Sequence, residues 1–471
     1  MRKKRLNSFI AVAVFAAILC FYWMFVRGVR SPQSTRGSRF SDHLLSPINE
    51  MSKAIMDNRS LLNHLKEHMA QLKKTKLHHK PMVPPVSAVK QPKTESTHIK
   101  VPKTKSPQAE LPKTKSPPEN HVEATQKNLI IPVLVMACNR PSVSRSLDLL
   151  IKYKAAFKSD QFPLFVSQDG NHQETMNVIK DYGDKLTYMQ HTMLETISPK
   201  HFNLKGYYKL AAHYKWALNQ VFSKVPTADA VIIVEDDLEI SPDFFSYFQA
   251  LHPLLKDPSL MCISAWNDNG KTNSIDATNG QTSLYRSDFF PGLGWMLSKD
   301  FWLELEPKWP AAFWDDWLRE PDQRKDRSCI RPEISRTKTF GRVGVSNGQF
   351  YDKHLKFIKL NDIDVDWSKV DISYLHKDKY DKQFAEKIEL LSSVSLSDLQ
   401  TISPAETKEV KVLYSSAASF KMIAKTLDIM DDFKSGVPRT AYRGVVTTLF
   451  KGVRVYVAPD QNWTGYNPKW S

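Results

Sequence analysis

Glu235, Asp236 and Asp237 are three consecutive carboxylates that close the apolar run Ala230-Val231-Ile232-Ile233-Val234. Four β-branched residues in succession favour a buried strand, so the acids would be delivered to the C-terminal edge of an open α/β sheet. Ligands of such sheets bind at that edge. Carboxylates are hard oxygen donors suited to Mg²⁺ or Mn²⁺, and an ion held there can bridge to the phosphates of a nucleotide. The competing reading is a solvated acidic turn; the apolar run feeding the triplet favours the metal site. A second acidic pair, Asp315 and Asp316, sits between Trp314 and Trp317. Here two readings stay open: an apolar wall that raises a carboxylate's pKa and positions a sugar ring, or core aromatics with two capping acids. The segment Arg342 to Gln349 carries Gly344 and Gly348 and no strong periodicity, as expected of a loop that closes on a ligand.

These groups need a scaffold, and the surrounding pattern supplies one. Leu129 to Ala137 is a strand broken only by Pro132, and it ends at Cys138-Asn139-Arg140-Pro141. A helix over Val143 to Tyr153 and a second strand from Phe162 to Asp169 complete a βαβ start. Leu186 to Gln190 is a third strand, and Tyr207 to Phe222 is a helix containing His213. Taken alone, His213 is a satisfied core histidine and Arg140 a loop charge. Beyond the triplet, Ser241-Pro242-Asp243 starts a helix with Phe244, Phe245 and Phe248, and Met261 to Trp266 is another strand. The C-terminal part turns to α+β. Val410 to Tyr414 is a strand, Phe420 to Met430 a helical stripe, and Gly444 to Phe450 with Val453 to Val457 a hairpin across Lys451-Gly452. It shows no acid, His or Cys constellation, which marks a second, structural domain.

The 471 residues carry a formal charge of +16, but residues 1–127 hold 23 Lys and Arg against 8 Asp and Glu, so the remainder is nearly neutral. No basic, aromatic-laced patch appears in the part expected to fold, which argues against nucleic acid. Ser8 to Val26 is an uncharged run of 19 residues. At about 1.5 Å per residue it matches a hydrocarbon core of about 30 Å. It ends in Phe21-Tyr22-Trp23-Met24-Phe25, an interfacial aromatic cluster rather than a cleavage site, and is expected to be an uncleaved anchor. Positive charges flank it on both sides and do not set its orientation. The sequons at Asn58 and Asn462 would be usable only with the bulk of the chain in the lumen. There Cys138, Cys262 and Cys329 would give one disulfide and one thiol. Between anchor and head, Ile48, Met51, Ile55, Asn58, Leu62, Leu65, Met69 and Leu72 fit a short coiled coil with one polar position, Asn58, hence self-association through the stem, which a glycan on Asn58 would disrupt. A single amphipathic helix lying on another surface fits them equally well. Residues 75–127 are rich in Lys, Pro, Thr and Ser and are expected to be disordered.

Anchor, stem and a lumenal α/β head with an acidic metal site fit a Golgi glycosyltransferase. From about Ile130 onward the chain resembles the N-acetylglucosaminyltransferase I family. The resemblance is carried by Val234-Glu-Asp-Asp237, Ser264-Ala-Trp-Asn-Asp-Asn-Gly270, Asp288-Phe-Phe-Pro-Gly-Leu-Gly-Trp295, Phe313-Trp-Asp-Asp-Trp317, Ile330-Arg-Pro-Glu-Ile-Ser-Arg336 and Ser435-Gly-Val-Pro-Arg439. It implies a GT-A type nucleotide-sugar-binding open sheet with a smaller α+β C-terminal domain behind a single transmembrane helix. The layout would be a cytoplasmic tail over 1–7, an anchor over 8–26, a stem over 27–127 and a catalytic domain over 128–341. A linker with the donor-closing loop would span 342–375 and the last domain 376–471. The implied reaction is inverting transfer of N-acetylglucosamine from UDP-N-acetylglucosamine, with Mn²⁺, in β1,2 linkage to the α1,3-arm mannose of oligomannose N-glycans. The implied roles are Asp237 as metal ligand, Asp236 on the ribose side of the donor, and Arg140, Asp169 and His213 gripping uridine and phosphates. Ser346 would contact donor from the closing loop, Asp315 would be the general base, and Asp316 would be structural. Cys262 and Cys329 match a family disulfide. Gly170 stands where Cys138 would find a partner, so Cys138 is expected to be a buried free thiol. Two other readings are a β1,2-N-acetylglucosaminyltransferase acting on O-linked mannose and a non-catalytic Golgi glycan-binding protein. The first lacks its extra N-terminal lectin-like domain here; the second would have lost Asp237 or Asp315.

Overall fold

A computed structural model describes residues 129–192, 203–345, 348, 350–460 and 464–470. The expected tail, anchor, stem and coiled coil, both sequon asparagines and Ser346 lie outside the described residues. No helix within them is long and apolar enough to cross a membrane.

The chain opens with β1 (Val133–Ala137), α1 (Val143–Lys154), β2 (Leu164–Asp169), α2 (Gln173–Lys180) and β3 (Thr187–His191). It continues with α3 (Lys205–Lys224), β4 (Ala230–Glu235), β5 (Leu238–Ile240), α4 (Phe244–Leu251), β6 (Leu260–Ser264), β7 (Leu284–Ser287) and β8 (Trp295–Ser298). Then follow α5 (Lys299–Leu305), α6 (Trp314–Arg319), α7 (Pro321–Arg324), β9 (Ser328–Pro332) and β10 (Thr337–Thr339). These build an eight-stranded sheet in the order β3-β2-β1-β4-β8-β6-β9-β7. The four strands β3, β2, β1 and β4 run parallel. β8 runs antiparallel between β4 and β6, so the sheet is mixed rather than parallel throughout.

Alternation along β1 and β4 shows why their sequences are apolar without interruption. Val133 and Val135 face one core with Ile232 and Val234, packed against Leu147 and Leu150 of α1 and Phe244 and Phe248 of α4. Leu134 and Met136 face the other core with Val231 and Ile233, packed against Tyr214, Leu218 and Val221 of α3. Both faces are covered, so each strand position is selected for burial. The chain runs from β1 outward to β2 and β3, then returns to place β4 on the other side of β1. This reversal leaves a crevice beyond the ends of β1 and β4, where Arg140 and the acidic triplet lie.

The C-terminal part contains α8 (Lys377–Leu390), α9 (Leu396–Leu399), β11 (Glu409–Tyr414), α10 (Ala417–Thr426), β12 (Phe433–Lys434), β13 (Val437–Pro438), β14 (Val446–Phe450) and β15 (Val453–Pro459). β15 is central to a small sheet, parallel to β11 and antiparallel to β14 across the expected Lys451-Gly452 turn. Phe420 and Ile423 of α10 pack on Val410, Val446 and Val455 in a separate core, which Phe289 also enters. Tyr380 of α8 and Tyr442 instead join the first core.

Cys262 and Cys329 are disulfide-bonded across the neighbouring strands β6 and β9. Cys138 is free but exposed, which corrects the expected buried thiol: it follows the last buried residue of β1, where the chain emerges into the crevice.

Candidate active site

β4 is tied to β1 at its end, where Asp236 N donates to Met136 O at 3.0 Å. The carboxylates that follow are therefore held by the sheet and not by a free turn. Asp236 Oδ1 pairs with Arg140 Nη1, and its Oδ2 accepts from Cys138 N at 3.3 Å. The same guanidinium nitrogen lies 3.1 Å from Asp237 Oδ2. Arg140 Nη2 donates to Val343 O at 2.6 Å, which joins the loop after β10 to the acidic pair. Asp236 and Asp237 are buried, whereas Glu235 is only partly so. Loss of water raises all three pKa values. Glu235, further pushed by Asp237, reaches about 7, and Asp236, partly relieved by Arg140, about 6. Asp236 and Asp237 share one guanidinium with a third carboxylate, Glu235, beside them, an arrangement that favours an additional cation.

Among the described residues no group of three or more His, Cys, Asp and Glu is arranged to enclose an ion. The donor set fits a different kind of site, in which one or two carboxylates hold the ion and substrate phosphates complete its shell. Gly341 supports that fit. A Cβ there would stand 1.9 Å from Asp237 Oδ2, so the carboxylate can occupy this position only because residue 341 is glycine.

Beside the triplet, β2 and β3 bring Asp169 opposite His191, with Oδ1 and Nδ1 2.7 Å apart. His191 stacks on His213, whose Nε2 shares a 2.7 Å hydrogen bond with Ser167 Oγ. Burial lowers the His213 pKa to about 4 and keeps the ring neutral. Burial alone would raise Asp169, but the His191 hydrogen bond and nearby His213 hold it below the ordinary carboxylate range. His213 is thus both a packed core histidine and a neighbour of Asp169.

The second acidic pair lies in the first turn of α6. Arg319 Nη1 is 2.8 Å from both Asp315 Oδ2 and Asp316 Oδ1, and its Nε donates to Phe290 O at 3.0 Å. Asp316 is held again by Lys434 Nζ at 2.9 Å from Oδ2, consistent with a structural acid. Asp315 keeps a side chain 44% exposed. Trp314 is buried against Tyr214, while the Tyr214 hydroxyl donates to Glu235 Oε1 at 2.9 Å. Burial raises the Tyr214 pKa well above its usual value, aided by Glu235, Asp315 and Asp237 together. Tyr214 therefore links the two acidic groups, with its hydroxyl on Glu235 and its ring against Trp314, the residue before Asp315.

Arg140, Asp169, His213, Asp236, Asp237 and Asp315 all lie along this region; Ser346 is outside the described residues. Sequence reasoning missed Tyr214, Arg319 and Lys434 as site neighbours. Tyr214 follows His213 directly and Arg319 follows Asp315 by one helical turn, which are usable signals. Lys434 carries none, because only tertiary packing brings it to Asp316.

The chain matches the GNT-I family model over residues 22–470. It is 43% identical over 336 residues to the alpha-1,3-mannosyl-glycoprotein 2-beta-N-acetylglucosaminyltransferase of Arabidopsis thaliana, covering 70% of this chain and 74% of that protein. Among solved structures, a mannosyltransferase from Pyrobaculum calidifontis in complex with GDP-Man and Mn²⁺ is 15% identical, with TM-score 0.26 over 38% of this chain and 48% of that one. Glucosyl-3-phosphoglycerate synthase from Mycobacterium tuberculosis with Mn²⁺, UDP and glucosyl-3-phosphoglycerate is 12% identical, with TM-score 0.30 over 49% of this chain and 79% of that one. Superpositions this partial do not bear on function.

Proposed function

The chain belongs to the GNT-I family and is a glycosyltransferase of N-glycan synthesis, and we propose from its site that Asp315 and the Asp236-Asp237 pair perform an inverting, metal-dependent transfer. The donor would be UDP-N-acetylglucosamine and the product a β1,2 linkage to the α1,3-arm mannose of an oligomannose N-glycan. The observation that carries this reading is Tyr214, whose hydroxyl donates to Glu235 beside the Asp236-Asp237 pair while its ring packs on Trp314 beside Asp315.

Inversion is one in-line displacement: the acceptor 2-hydroxyl oxygen attacks the anomeric carbon as the bond to the diphosphate breaks and its electron pair leaves with UDP. Asp315 takes the hydroxyl proton. Arg319 grips its Oδ2, so the proton goes to Oδ1. Asp237 would hold the divalent ion, with Mn²⁺ the ion of choice, and that ion stabilises the departing diphosphate when bound. Asp236 would meet the ribose side, and Arg140, Asp169 and His213 the uridine and phosphates. Ser346 would reach the donor from the loop whose Val343 carbonyl Arg140 already holds. Residues 8–26 would anchor the protein in the Golgi membrane as a single-pass type II protein. The Cys262–Cys329 bond supports a lumenal head, since disulfides persist in oxidising compartments.

Transfer assays with the full chain, UDP-N-acetylglucosamine and either a five-mannose N-glycan or an O-mannosyl peptide, with and without Mn²⁺, test the reading. Mn²⁺-dependent transfer to the N-glycan alone is expected. Transfer to the peptide alone would select the O-mannose reading. Asp315→Asn should lower turnover by about 10² to 10⁴-fold with donor binding retained, the contribution of a positioned base. Near-normal turnover removes Asp315 from that role.

A further inference from the structure

We propose that Phe313, stacked on Tyr207, forms a platform for a hexopyranose ring of the acceptor glycan, immediately beside Asp315. The inference rests on the reading of Asp315 as the base and extends it to how the acceptor is held.

Phe313 has φ 54 and ψ 43, the left-handed conformation, which is costly for an aromatic residue and persists only where its surroundings enforce it. Its effect is to send two consecutive aromatic rings to different places. Trp314 enters the core between Trp295 and Trp309, with Tyr214 against it. Phe313 stays outside, 36% exposed, with its ring 4.3 Å from that of Tyr207 at an interplanar angle of 25°. Tyr207 and Tyr214 are seven residues apart on α3 and so share one face of that helix. The inner pair of rings is packed; the outer pair is open to solvent.

The outer pair is fixed to the site on both sides. Trp317 N donates to Phe313 O at 2.9 Å, so Phe313 moves with the helical turn that carries Asp315. Val345, in the loop that also meets Arg140, packs against Gly206, where a Cβ would be 3.0 Å from Val345 Cγ1. Asp237, Gly341, Val343, Val345, Tyr207 and Phe313 thus follow one another around the crevice to Asp315. A pyranose presents a face rich in C–H groups and a rim of hydroxyls. An aromatic face takes the first, while a neighbouring carboxylate takes a hydroxyl from the second. An exposed ring held rigidly two residues from the proposed base has the chemistry to orient a sugar and no role in the packed core.

The test is steady-state kinetics of Phe313→Ala and Tyr207→Ala with UDP-N-acetylglucosamine, Mn²⁺ and the five-mannose N-glycan, together with thermal midpoints. The expected result is an acceptor KM raised about tenfold in each variant, as for loss of a partly buried aromatic contact. Donor KM and thermal midpoint stay at wild-type values. Phe313→Tyr, which keeps a ring face, recovers most of the lost acceptor affinity. An unchanged acceptor KM in Phe313→Ala overturns the platform, as does an equal loss of donor affinity. Normal turnover of Asp315→Asn would instead remove the base reading, and the Phe313 result would still decide whether this pair binds sugar.

Discussion

Gly341 shows how much of the site depends on a single missing side chain. With Asp237 Oδ2 only 1.9 Å from the position of a Cβ, Gly341→Ala must move either the loop or the carboxylate. Overpacking of this kind costs about 1–3 kcal/mol. We expect Mn²⁺-dependent binding of UDP-N-acetylglucosamine, followed by calorimetry, to weaken about tenfold or more in this variant. Donor affinity equal to wild type would show that the loop absorbs the methyl group and that Asp237 is not confined by it. Asp236 and Asp237 were legible because an uninterrupted apolar run ends at them. Gly341 was not, because its partner lies more than a hundred positions away and nothing local distinguishes it from a turn glycine.

Among elements, the loop Asn267–Lys271 after β6 is pinned by the C-terminal segment. Arg439 Nη1 lies 2.7 Å from Asp268 Oδ1, and its Nε bonds Asp432. Asn269 donates to Thr440 Oγ1 at 3.1 Å and accepts from Met430 N, and Lys271 pairs with Asp428. Arg439→Met would leave Asp268 buried without its cation, a change that costs about 3–5 kcal/mol. A lowered denaturation midpoint with an unchanged far-ultraviolet spectrum is the expected outcome; an unaltered midpoint would mean that water replaces the guanidinium. The expected strands β1, β2, β4, β6 and β11 carry strong apolar patterns and all form, as does β3 on a weaker one. β7 and β9 went unread because each contains a buried arginine, Arg286 and Arg331. Arg286 is tolerated inside because Nη1 donates to Leu375 O at 2.8 Å and Nη2 to Ser259 O at 3.0 Å, partners that no local pattern reveals.

For the molecule as a whole, pH acts on stability through groups titrating differently when folded. His213 has a folded pKa of about 4 against an ordinary value of 6.5. Between these values the unfolded chain binds the extra proton, so this contribution to stability is lost as pH falls from about 6.5 to about 4. Glu235 and Asp236 are raised to about 7 and about 6, bind protons in the folded state, and act in the opposite direction. The wild-type profile mixes both. The difference between wild type and His213→Asn isolates the histidine: the variant's deficit at pH 7.5 should shrink by up to about 3 kcal/mol at pH 4.5. Denaturant titrations at the two pH values measure it, and a constant deficit would mean that His213 is readily protonated in the folded protein.

The amino-acid sequence alone determined the α/β alternation, the acidic strand end, the aromatic-flanked acid pair and the family, since each rests on local residue type and spacing. Only the tertiary structure decided that Tyr214 bonds Glu235 while packing on Trp314, that Lys434 reaches Asp316, and that Phe313 is turned outward while Trp314 is turned in. Those facts depend on how distant segments pack and on one backbone conformation, and hydrophobic period carries no record of either.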